Sequence, residues 1–197
     1  FVRGYYDSGT GTSTRKVYLK NGDNPDLLKE VRNSRGGKTT VGYQSSARYF
    51  DSGGNIANSN LPLVMQTART ITTDNGAFLS GSSRVIATTT YDYQRGYYFA
   101  STTLPYSRQF TGFGLVVANT ASSTITKSYF HQGNGSDSTN GEFGDFIAKA
   151  GKPYRTETYD INGNLFARSI NKWARADYGD GRNFVKLAQT LSQTFDG

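Results

Sequence analysis

Ser107-Arg108-Gln109-Phe110-Thr111-Gly112-Phe113-Gly114-Leu115-Val116-Val117 is the stretch on which the fold turns. It ends in aliphatic and β-branched residues, the composition of a strand, and it sets two glycines around Phe113, where a strand bends or bulges. Downstream, Ser128-Tyr129-Phe130-His131-Gln132-Gly133 reads as a second aromatic strand running into a turn. Further on, Tyr159-Asp160-Ile161-Asn162-Gly163-Asn164-Leu165 places Asn-Gly between two strand-like runs. That dipeptide favours a two-residue hairpin loop in which both central residues take positive φ. These pieces predict strands and hairpins, with no catalytic constellation among them.

The same reading extends along the chain. Leu27–Arg32 and Lys38–Tyr43 flank Asn33-Ser34-Arg35-Gly36-Gly37, a strand, glycine turn and strand. Pro62–Thr72 begins with a proline suited to a strand start and leads to the turn signal Asp74-Asn75-Gly76. In Val85–Tyr93, period-two alternation turns Val85, Ala87, Thr89, Tyr91 and Tyr93 inward. Phe110–Ala118 pairs with Thr124–Phe130 around Asn119–Ser123, and a polar loop, Gln132–Gly141, follows as the most exposed segment. Tyr154–Asp160 and Leu165–Trp173 form the Asn-Gly hairpin. Phe184, Leu187, Ala188 and Leu191 would line one helix face, but the surrounding strands favour β for Phe184–Phe195. The fold class is all-β: antiparallel hairpins forming an extended twisted sheet, with a closed sandwich or barrel as the alternative.

Composition sets outer bounds. Only 35% of the 197 residues are hydrophobic, while Tyr and Phe number 14 and 12, so burial has to come largely from aromatic rings. The absence of cysteine excludes disulfides, thiol catalysis and Cys-based metal sites. No apolar run reaches the roughly 18 residues a membrane-spanning helix needs, and Phe1-Val2-Arg3-Gly4-Tyr5-Tyr6 lacks a signal-peptide pattern. The net charge of +7 is spread singly or in pairs, as on solvated strand faces, rather than gathered into a patch.

The motifs that approach a chemical signature each fall short. Gly112–Val117 resembles an RNA-recognition signature, but Thr111 stands where that motif needs a basic residue, and no helices are evident nearby. Asp160–Leu165 begins like a calcium loop, yet Leu165 replaces the required glycine and Asn171 the bidentate glutamate. His131, the single histidine, has no cysteine with which to hold zinc and follows no nucleophile motif, so its role is read as structural. Glu142, Asp145, Glu157 and Asp160 are the acids from which a glycosidase-like pair would have to be drawn. Asn134-Gly135-Ser136 fits a glycosylation sequon, from which nothing is drawn. No cofactor or metal ligand set is assigned.

Taken in order, five segments resemble the middle region of the B component of insecticidal Tc toxin complexes, relatives of the YD-repeat and Rhs-repeat proteins. They are Asn24–Tyr43, Thr89–Tyr93, Arg108–Gly114, Tyr129–Gln132 and Gly151–Glu157. The resemblance implies a section of a β-shell that encloses a toxic polypeptide. Residues 21–197 would form that segment, part of a larger protein, and residues 1–20 the tail of a preceding domain. It further implies a non-enzymatic role and a secreted bacterial protein. Its partners would be the rest of its own shell, the enclosed polypeptide and, through an upstream region, a pore-forming component, with no nucleic acid and no membrane insertion by this segment. The motif residues Gly36, Gly37, Gly112, Phe113, Gly114, Tyr159, Asp160, Asn162 and Gly163 would then be structural. A different reading is a freestanding β-sandwich that binds carbohydrate or a cell surface through Tyr5, Tyr6, Tyr97 and Tyr98.

Overall fold

The computed structural model describes residues 2–7, 9, 12–17, 26–77, 84–102, 107–135 and 141–196, with the strands at 2–7 and 12–17 given by their backbone alone. Two strands, β1 (Val2–Asp7) and β2 (Thr12–Val17), pair as an antiparallel hairpin. The other nine form one antiparallel sheet: β3 (Glu30–Arg32), β4 (Lys38–Ser45), β5 (Gln66–Asp74), β6 (Ile86–Ala100), β7 (Arg108–Asn119), β8 (Ile125–Phe130), β9 (Pro153–Tyr159), β10 (Leu165–Asp177) and β11 (Asn183–Thr194). The strands lie in the sheet in sequence order from β3 to β11. The sheet is open, a meander ending in a three-residue edge at β3 and a twelve-residue edge at β11. The all-β extended sheet is therefore the architecture, and the closed sandwich or barrel is not.

A single sheet has little interior. Among the described residues only Tyr49, Leu115 and Tyr154 are buried hydrophobics, while ten polar or charged residues are buried. The chain exposes 13431 Å², against about 9,200 Å² for a compact monomer of this mass. Aromatic burial is concentrated where connections fold back over the sheet. Residues 46–65 bring Tyr49 against Tyr93 at 5.8 Å between ring centres, and the Tyr49 and Thr67 hydroxyls are 2.7 Å apart. Residues 131–152 bring His131 to 5.1 Å from the Tyr154 ring.

One turn design recurs four times, at 33–37, 51–55, 120–124 and 160–164. In each, the N–H of the first residue donates to the carbonyl of the fifth, and the N–H of the fourth donates to the carbonyl of the first. The fourth residue has positive φ: Gly36 at 85°, Gly54 at 78°, Ser123 at 62° and Gly163 at 84°. The first residue caps the turn with its side chain. Asp160 Oδ1 accepts from the N–H groups of Asn162 and Asn164, both at 2.8 Å, and Asn33, Asp51 and Thr120 act likewise. This corrects the two-residue loop expected at Asn162-Gly163. Only Gly163 takes positive φ, because Asp160 caps a five-residue loop in which Asn162 keeps a negative φ.

Strand limits also moved. The strand expected at Leu27–Arg32 is confined to Glu30–Arg32, and the one expected from Pro62 starts at Gln66. Residues 62–65 are drawn into the connection, where the Met65 N–H donates to Ser46 Oγ and the Ser46 N–H to the Met65 carbonyl. Of the residues expected to face inward before Tyr93, Val85 is exposed. The expected exposed loop begins with a buried residue, Gln132, and its positions 136–140 lie outside the described residues. With them goes the end of the sequon. Asn24 and Pro25 of the resembling lead lie there too, as do the side chains of Tyr5 and Tyr6.

Candidate functional site

Three features of the sheet concentrate chemistry. The first is a kink in β6 and β7. Arg95 takes φ 57° and Gly112 φ 98°, and between Gly96 and Tyr98 the register slips, so β7 carries an extra residue opposite β6. Two buried amides hold the kink. Gln132 Nε2 donates to the carbonyls of Arg95 at 2.7 Å and Gly112 at 3.0 Å. Asn58 Nδ2 donates to the carbonyls of Ser46 and Tyr93, both at 2.9 Å, and Asn58 Oδ1 accepts from the Gly96 N–H at 2.7 Å. Gly114 is needed because a Cβ there would overlap the Gln132 amide, and Phe113 packs its ring 5.1 Å from Tyr93 and 5.4 Å from Phe110.

The second is a charged row across one face. Strand pairing sets Asp92, Val117, Lys127, Glu157 and Arg168 side by side on β6 to β10, and Gln94, Leu115, Tyr129, Arg155 and Ile170 in the next row. Glu157, 1% exposed, is the hub. It accepts from Arg155 Nε at 2.9 Å, Arg168 Nε at 3.1 Å, the Tyr159 hydroxyl at 2.9 Å and the Tyr129 hydroxyl at 3.2 Å. Burial opposes its charge, but the hydrogen bonds from Arg155 and Tyr159 outweigh that and hold its pKa below the usual value. The same contact works the other way on Tyr159, whose hydroxyl is pushed up to about 12 by burial and by donating to Glu157.

The third lies in the connection from β8 to β9. Asp145 accepts from His131 Nδ1 at 3.1 Å, and from the N–H groups of Gln132 at 3.3 Å and of Gly133 and Asn134, both at 3.0 Å. Burial works against this carboxylate, yet the His131 hydrogen bond and the three amides keep its pKa low. Lys149 Nζ donates to the carbonyls of Phe143 at 2.8 Å and Gly144 at 2.6 Å, and the Tyr154 hydroxyl donates to Glu142 at 2.8 Å. His131 is fully buried against Tyr154, so it braces this connection and presents nothing to solvent.

The four acids considered as catalytic partners go separate ways. Glu142 binds Tyr154, Asp145 binds His131, Glu157 binds arginines, and Asp160 caps its turn. Among the described residues no group of three or more metal-ligating side chains gathers, and no helix is long and apolar enough to cross a membrane. Of the motif residues, Gly112, Phe113 and Gly114 meet at the kink. Gly36 and Gly37 lie at another turn, against Gly76, and Asp160, Asn162 and Gly163 at a third, beside Tyr159, whose hydroxyl donates to Glu157 of the charged row. Sequence reasoning gave Asn58 and Gln132 no role and took Glu157 only as a candidate catalytic acid. Polar residues are ordinarily surface residues, and only the register shows what they hold.

Beside the kink runs a groove of about 610 Å³, walled by Asp51, Ile56 and Ala57 and floored by Leu115, Val117, Lys127 and Tyr129. Because Arg95 at positive φ breaks the alternation of β6, both it and Gln94 line this groove.

The family model described as insecticide toxin TcdB middle/N-terminal region matches residues 7–135, nearly two thirds of the chain. None of the curated proteins matches significantly. Among solved structures, a chain in the crystal structure of TcdB2-TccC3-Cdc42 aligns with a TM-score of 0.61 at 16% identity, over 86% of this chain and 10% of that one. At that identity the likeness is one of fold, and this chain spans about a tenth of the length of its structural neighbour. The chain belongs to the family of the insecticide toxin TcdB middle/N-terminal region.

Proposed function

We propose that this chain is a non-enzymatic wall segment of the shell of a bacterial toxin complex, enclosing a toxic polypeptide. The observation that carries this reading is the open nine-stranded meander with three buried hydrophobics among its described residues. An enzyme domain of this size buries a core to hold a site rigid, whereas a wall needs area, two solvated faces and stiffness from within the sheet. The Gln132 and Asn58 clamps and the Glu157 hub supply that stiffness. On this reading residues 21–197 form the wall, the hairpin of β1 and β2 ends a preceding unit, and the long edge of β11 continues into further shell. The partners are that shell, the enclosed polypeptide and a pore-forming component contacted elsewhere, and the complex works outside the producing cell.

The test is limited proteolysis of the complete toxin protein carrying its enclosed polypeptide. With this segment intact the polypeptide should resist protease. With residues 30–194 replaced by a flexible linker it should be digested. Equal protection in both proteins would overturn the reading.

A further inference from the structure

The groove beside the kink is lined by two cations and one acid, which leaves it net positive. Arg95 and Lys127 both line it, and among the described residues neither has a carboxylate within ion-pair distance. Lys127 Nζ rests instead 4.5 Å from the centre of the Tyr159 ring. Glu157 stands opposite Lys127 in register, but its carboxylate is taken by Arg155, Arg168, Tyr129 and Tyr159. Asp51, the one acid of the lining, accepts from the N–H groups of Gly53 and Asn55, both at 2.9 Å, in capping its own turn. Between the cations the surface is aliphatic, with Leu115 and Val117 beneath and Ile56 to the side.

These two properties select an occupant. The volume falls within the range of ligand sites. A nucleic acid would bring a phosphate at every step to only two cations and an aliphatic floor. A peptide that carries both carboxylate and aliphatic side chains matches the charge and the floor together. We propose that this groove binds an acidic, aliphatic peptide segment, its carboxylates on Arg95 and Lys127 and its aliphatic side chains on Leu115, Val117 and Ile56. The proposal goes beyond the shell reading and stands apart from it, since it concerns a site on the isolated chain.

The experiment is fluorescence anisotropy of the 197-residue chain with labelled hexapeptides of alternating Glu-Leu, Gln-Leu and Lys-Leu sequence. The Glu-Leu peptide should bind saturably, roughly tenfold or more tighter than the other two. The R95Q/K127Q variant should lose that preference while keeping its circular dichroism and melting temperature, and K186Q on β11 should keep it. If the double variant misfolds, R95Q and K127Q are read singly, each with a partial loss. Absence of saturable binding, equal binding of the Gln-Leu peptide, or a preference that survives both substitutions would overturn the proposal. Competition by free glutamate at equal concentration would also overturn it, in favour of a small-anion site. Protease protection in the complete toxin is a separate readout, so failure here leaves the shell reading to its own test.

Discussion

The Gln132 side-chain amide occupies the space into which a Cβ on Gly114 would project, so these two residues exclude one another's alternatives. Gln132 is 5% exposed and its amide nitrogen ties two strands together, so it cannot swing aside without leaving the carbonyls of Arg95 and Gly112 unpaired. Gly114→Ala should therefore destabilise the fold by about 1–3 kcal/mol. In a urea double-mutant cycle, Gly114→Ala with Gln132→Ala should lose less than the sum of the two. Additive losses would show that the residues do not compete for that space.

Glu157→Gln removes the charge that two arginines share while leaving the shape almost unchanged. Both arginines are partly exposed, at 20% and 27% of their side chains. The loss should thus be roughly 2–4 kcal/mol, below that of a fully buried pair. Chemical denaturation measures it. A change below about 0.5 kcal/mol, the scale of an ordinary surface substitution, would mean that the hub does not stiffen the sheet.

Acid should weaken the fold through carboxylates whose folded pKa values are depressed. The hydrogen bond from Arg84, joined by the Gly76 N–H, holds Asp74 at about 2, against an ordinary 3.8. Asp145 and Glu157 are also lowered, from 3.8 and 4.5. A depressed folded pKa gives stability that is complete above the unfolded value and lost as pH falls through the folded one. The urea midpoint should accordingly hold from pH 7 to about 5 and fall steadily towards pH 2. Tyr159 adds an alkaline limb of the opposite sign, its contribution fading as pH rises from 10 towards 12. A midpoint that stays level down to pH 3 would contradict the assignment.

The recurring turn predicts opposite signs at equivalent positions. Ser123 and Gly163 both occupy the left-handed fourth place, at φ 62° and 84°. Ser123→Gly should stabilise by up to about 1 kcal/mol and Gly163→Ala destabilise by about as much, because only glycine enters that region without a steric penalty. Thermal unfolding of the two variants checks the pair of signs.

Much of this fold could be read from the sequence because it is built of local pieces. Strand composition, Asn-Gly, Gly-Gly and Asp-Asn-Gly punctuation and the aromatic runs located most of the nine strands. The run at 183–194, whose apolar spacing also suits a helix face, is a strand because β10 supplies its partner edge. What stayed hidden depends on partners distant in sequence. Asn58 reaches Tyr93 and Gly96, Gln132 reaches Arg95 and Gly112, and Glu157 meets Arg168 only once β9 and β10 are in register. The groove was equally illegible, since it needs Arg95 to leave strand alternation, and nothing about an arginine announces positive φ.

The sequential order of the nine strands has a consequence for biosynthesis. Each strand hydrogen-bonds only to its immediate predecessor and successor, so no pairing in the sheet waits for a distant part of the chain to be translated. The sheet can grow at the ribosome exit one hairpin at a time, offering a fresh edge to each newly emerged strand. Hydrogen-exchange labelling of stalled nascent chains should find β4 and β5 protected while β10 is still unmade.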